Sequence, residues 1–185
     1  MKTTPLTKPV LGMSHEAKIK QAFERTAKAL SLREFLGQGT AISRVSVKDG
    51  FSCTVTDGEW SLSVDMGEKD GGSNTGPNPG VLGRAALGTC LAMGYVRWAA
   101  VLGVPVDSID VEIQADYDAR GEYAVSDISP TYSEIRYVVT IVSDAPEAEL
   151  IAMLDKSDKF SSFLAAFRDP QSVKRELSIV RSVEA

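Results

Sequence analysis

The stretch Pro77-Asn78-Pro79-Gly80-Val81-Leu82-Gly83-Arg84-Ala85-Ala86-Leu87-Gly88-Thr89-Cys90 decides how the rest of the chain is read. Asn78 suits an N-cap, and Pro79 suits the first helical position, where a missing N–H leaves nothing unsatisfied. An almost unbroken apolar run follows to Gly103, so the pattern predicts a helix from Asn78 to Gly103. A helix that is apolar nearly all round belongs in the centre of a structure. Gly80, Gly83, Ala85, Ala86, Gly88, Ala92 and Gly94 let another backbone come close, so packing of helix on helix is expected.

Upstream of this helix, residues 67–80 hold five glycines and two prolines and read as a loop. A phosphate cradle fails on detail there, because Pro77-Asn78 follows Gly76 where a P-loop needs Lys and then Ser or Thr. Further back the apolar residues recur with period two: Ile42, Val45 and Val47, then Phe51, Cys53 and Val55, then Trp60, Leu62, Val64 and Met66. Asp49-Gly50 and Asp57-Gly58 separate these runs, so three strands in a meander are predicted. Ser14 as N-cap and the set Ile19, Phe23, Ala27 and Leu30 predict a helix over 15–36. Residues 1–13, with Pro5 and Pro9, read as a tail.

Downstream, strands are predicted from Ser108 to about Tyr117 and from Tyr132 to Val142. A helix opened by Pro146 runs toward Lys159, a helical piece spans Phe160 to Asp169, and Val173, Leu177, Ile179 and Val183 suggest a last strand.

The chain has 185 residues, 43% of them hydrophobic, which fits one soluble domain. Its formal charge of −5, with no basic run, argues against a nucleic-acid partner. With one histidine, His15, and two cysteines, Cys53 and Cys90, zinc sites and a Ser-His-Asp triad are poor readings. No run of 18 apolar residues and no signal-peptide core are seen, so a cytoplasmic protein without a membrane partner is expected, its cysteines held as thiols. Asp110, Glu112, Asp116 and Asp118 alternate on one strand face, which suits a solvated face better than a hard-metal site.

Cys53 reads as a small apolar residue of a strand face. Cys90 stands in a different setting. Pro77-Asn78-Pro79 followed by Leu82-Gly83-Arg84-Ala85-Ala86-Leu87-Gly88-Thr89-Cys90 resembles the central-helix signature of the OsmC/Ohr family, and the element order is similar over roughly 40–183. The resemblance implies an α+β fold with antiparallel sheets wrapped around central helices, over a domain of residues 38–185. It makes residues 14–37 an added N-terminal helix. It also implies an intertwined homodimer with sites at the subunit interface, and reduction of organic hydroperoxides by Cys90 as the nucleophile, without a cofactor or metal.

Two positions depart from the family's peroxidases. Gly80 stands where they carry a glutamate after Asn-Pro, and no cysteine follows Cys90, so Lys159-Phe160-Ser161-Ser162-Phe163 occupies the place of their resolving cysteine. An external thiol reductant is then required. A thiol of ordinary pKa is only about 3% ionised at pH 7, so Cys90 needs activation. Cys90 lies about three turns inside its helix, beyond reach of the helix's own N-terminus. Arg97, seven residues on, and Arg44 in the meander are the candidate activating cations. Phe160, Phe163 and Tyr95 are the candidate substrate contacts, with Phe160 and Phe163 expected to give the site an apolar cover. The competing reading is a non-catalytic protein that binds a small hydrophobic ligand in an interfacial pocket, and a third is a structural role without a ligand.

Overall fold

The computed structural model describes residues 13–181. Its first element, α1 (His15–Leu32), starts where Ser14 Oγ accepts the Ala17 N–H at 3.2 Å, and a 3-10 turn at Glu34–Gly37 takes up the end of the predicted helix. Strands β1 (Arg44–Asp49), β2 (Ser52–Asp57) and β3 (Trp60–Val64) form an antiparallel sheet in the order β1-β2-β3. Phe51, expected in the second strand, falls in the turn instead.

After β3 the chain makes the glycine-rich loop, which is organised around a buried carboxylate. Asp65 Oδ2 accepts the Thr75 hydroxyl at 2.8 Å and the Ser73 and Thr75 amides at 3.2 Å, while Oδ1 accepts the Met66 amide at 2.8 Å. Burial raises the Asp65 pKa, and these four hydrogen bonds outweigh it, so the net shift is downward. The loop is thereby tied back to the end of β3. It delivers Asn78, whose Oδ1 accepts the Val81 N–H at 3.0 Å, as the cap of α2 (Pro79–Leu102).

Helix α2 is apolar and long enough to cross a membrane by length and composition alone. It instead occupies the middle of the fold, against α1, β4 (Ser108–Asp116), α4 (Glu147–Lys159) and α5 (Ser162–Arg168). Between β4 and α4 lie the short helix α3 (Ala119–Glu122) and β5 (Glu134–Val142), which pairs antiparallel with β4 from Ser108↔Val142 to Asp116↔Glu134. The inward residues of this ribbon, among them Ile109, Val111, Ile113, Tyr137 and Val139, meet Leu87, Leu91, Tyr95, Ala99 and Met153 in the core. The fold is therefore α+β, with two antiparallel sheets and five α-helices among the described residues.

Two expectations change. The predicted last strand is absent among residues 169–181, which pair with no strand and where Val173 and Leu177 are 90% and 76% exposed; Val183 is outside the described residues. The central helix packs on the β4–β5 sheet as well as on helices, and at Gly88 a Cβ would come within 3.2 Å of Ile113. Within one chain the three-stranded sheet leaves Val45, Val47 and Trp60 exposed.

Candidate functional site

Cys90 occupies the side of α2 that faces the junction between α4 and α5. That junction is short. Helix α4 ends at Lys159, Phe160 follows, and Ser161 caps α5 by accepting the Leu164 N–H at 3.3 Å. The turn brings Ser161 Oγ to 3.5 Å and Ser162 Oγ to 3.7 Å from Cys90 Sγ, both within hydrogen-bonding range for sulfur. The backbone N–H groups of Phe163 and Ser162, which lack intrahelical partners at the start of α5, also favour the ionised sulfur.

The thiol is half-buried and free. Burial pushes its pKa up, because a desolvated thiolate is disfavoured, but the hydroxyl of Ser161, the Phe163 amide, the Ser162 hydroxyl and its amide together outweigh that. The net shift is below the ordinary thiol value. No ionised side chain is among the causes. Cys90 thus gains thiolate character from neutral donors across a helix-to-helix contact, and it remains accessible enough to meet a small electrophile.

The arginines weighed from the sequence lie elsewhere. Arg97 is exposed and lines a groove of about 1160 Å³ between α1 and α2, with Ile19, Phe23, Met93, Val96 and Phe160 among its apolar walls. Arg44 opens β1 opposite Thr56 and is exposed. Arg84 donates to the Tyr132 hydroxyl at 3.3 Å. Cys53 sits in β2 with its thiol directed at the Phe51 carbonyl, 3.4 Å away, and is free.

The aromatic candidates divide. Phe160 is 63% exposed and turns from the thiol toward Trp98, their ring centroids 5.8 Å apart, and Phe163 is also exposed. Serines rather than an apolar cover therefore face Cys90, since capping α5 turns Ser161 inward and leaves Phe160 outside the junction. Tyr95 is fully buried with its hydroxyl committed to Asp158 at 2.8 Å, so it presents no surface to a ligand. The acidic face of β4 is solvated: Asp116 pairs with Arg136 at 2.6 Å, Asp118 caps α3, and no metal-holding cluster is found among the described residues.

Sequence reasoning missed Ser161 and Ser162. Their one local signal was Ser161 as an N-cap ahead of Phe163-Leu164, which marks a helix start and not a contact with a thiol.

The family model for OsmC-like protein matches residues 71–176, which take in α2, Cys90 and the serine junction. The chain belongs to the OsmC-like family. Solved structures carry the same fold at low identity. An OsmC-like protein from Mycoplasma pneumoniae aligns with a TM-score of 0.62 at 14% identity, over 71% of this chain and 89% of that one. An organic hydroperoxide resistance protein OsmC from Legionella pneumophila aligns at 0.52 and 17%, over 71% and 90%. An organic hydroperoxide resistance protein from Elizabethkingia anophelis aligns at 0.54 and 13%, over 71% and 90%. No curated protein matches the sequence. In this OsmC-like chain, β1 to β3 and α1 precede the matched region.

Proposed function

We propose that this OsmC-like chain is a one-cysteine thiol peroxidase that reduces organic hydroperoxides. The observation that carries the reading is the Cys90 thiol, held by the hydroxyls and amides of the Ser161–Phe163 turn and shifted toward the thiolate. The thiolate sulfur attacks the terminal oxygen of the hydroperoxide, the O–O bond breaks, and the leaving alkoxide takes a proton and departs as the alcohol. Cys90 is left as a sulfenic acid. An external thiol attacks that sulfur and releases water, and a second external thiol cleaves the mixed disulfide to restore Cys90. The external route is required because no cysteine lies at the junction and Cys53 lies in β2.

The test is turnover of cumene hydroperoxide with monothiol or dithiol reductants by the wild type and Cys90→Ser. Turnover abolished in the variant is expected. Equal, near-background rates in both proteins would sink the peroxidase reading and favour the second one, binding of a small hydrophobic ligand. The groove between α1 and α2 favours that second reading, since its walls are apolar apart from Thr26 and Arg97.

The working form is proposed to be a homodimer. The exposed apolar residues Met93 and Val96 on α2, and Leu177, Ile179 and Val180 in the C-terminal segment, support this. A second copy covering them would also supply the cover that the β1–β3 sheet lacks within one chain.

A further inference from the structure

The serines can act on Cys90 only if the turn carrying them is held against α2, and the structure contains a device suited to that. Helices α2 and α4 meet along a polar seam within an otherwise apolar interface. Tyr95, five residues after Cys90, donates its hydroxyl to Asp158 Oδ1 at 2.8 Å. Tyr137 of β5 donates to Oδ2 of the same carboxylate at 2.7 Å. One carboxylate in the last turn of α4 therefore receives a hydroxyl from the central helix and another from the sheet. Its backbone belongs to the serine turn, because the Asp158 carbonyl accepts the Ser161 N–H at 3.3 Å. Beside it, Gly94 lets the two helices close: a Cβ there would lie 2.6 Å from the buried Ser157 Oγ.

We infer that Asp158 is a positioning residue for Cys90: bracketed by Tyr95 and Tyr137, it fixes the turn that presents the Ser161 and Ser162 hydroxyls to the thiol. This rests on Cys90 being the working thiol. The bracket keeps its protons. Burial first, and then Asp158, push the Tyr137 hydroxyl up to about 12 and the Tyr95 hydroxyl above that, so both remain donors at neutral pH. The charged groups acting on Tyr137 besides Asp158 are Arg168 of α5 and Asp155 of α4. On Cys90 itself burial acts upward and the four neutral donors of the turn act downward.

The test is the pH profile of Cys90 alkylation by iodoacetamide in a Cys53→Ser background, which needs no peroxide and no turnover. Asp158→Asn is expected to raise the midpoint by about half a unit to one unit, toward an ordinary thiol. Tyr137→Phe is expected to move it in the same direction by less, and to decide the matter if Asp158→Asn does not fold. Folded variants that lose thermal stability but keep the parent midpoint would overturn the inference, because they leave Asp158 a structural role alone, while the parent's lowered midpoint would leave the reading of Cys90 standing. A parent midpoint at the ordinary thiol value would overturn both.

Discussion

Removing the serine hydroxyls one at a time tests how Cys90 is activated. At 3.5 and 3.7 Å the two contacts with sulfur are long, so each is taken as worth about 1 kcal/mol to the thiolate. That is about 0.7 of a pKa unit per serine. Below the midpoint, a rise of that size cuts the thiolate population about fivefold, but the more basic sulfur is about twofold more nucleophilic. Ser161→Ala and Ser162→Ala should therefore each slow attack on a hydroperoxide about two- to threefold at low pH. Above the midpoint, where both proteins are fully ionised, each variant should be about twofold faster than the wild type. The rate–pH curves must cross. Single-turnover consumption of cumene hydroperoxide, followed by the loss of free thiol, measures both limbs. Parallel curves, or variants slower at every pH, would refute the assignment of the serines as thiolate donors. The two substitutions differ in one respect. Ser161 also caps α5, so its loss should cost about 1 kcal/mol and lower the melting temperature by about 2–4 °C, whereas Ser162→Ala leaves the cap in place.

The loop that delivers α2 offers a separate test: a Cβ at Gly76 would press on the Ser63 carbonyl oxygen and lie 2.7 Å from its carbon, so Gly76→Ala should destabilise by about 1–3 kcal/mol. Gly39→Ala, where a Cβ meets nothing within 4 Å, is the control in the same thermal melts, and equal midpoints would contradict the close approach. Sedimentation equilibrium at micromolar concentration should give twice the chain mass of 19.9 kDa, and a monomer would contradict the proposed homodimer.

Much of the fold was legible because its signals are local. Asn78-Pro79 opens α2, and Gly103 closes it. Alternating apolar residues mark β4 and β5 to within a residue or two, since a ribbon with one buried face must repeat every second position. The C-terminal segment misled because alternation at Leu177 and Ile179 specifies a strand only where the segment pairs and buries one face, and both residues stay exposed and unpaired among the described residues. The site was half legible. Cys90 stands out by type and by its place in the small-residue helix, but its activators are 71 and 72 residues away in sequence and meet it only through packing of α4 and α5 on α2. Searching by charge led to Arg97 and Arg44, whereas hydroxyls and amides carry no charge signature. Their contribution depends on orientation, which only the folded turn provides.

That difference shapes the chemistry available to the site. An ion pair beside a thiol is weakened by salt and depends on the partner's own protonation. Hydroxyl and amide donors are fixed dipoles, and those around Cys90 act at contact distance in a half-buried setting where screening is small. A serine at this junction has two linked effects in the proposed reaction. It offers no internal sulfur to receive the proposed sulfenic acid, so the proposed turnover passes to an external thiol. It also places a hydroxyl 3.5 Å from the sulfur, where it would favour the thiolate between proposed turnovers. Ser161 cannot close a disulfide, but at 3.5 Å from the sulfur it lowers the cost of keeping Cys90 ionised with no arginine at hand. In the proposed reaction, the junction that leaves the second step to an external thiol thereby supports the first.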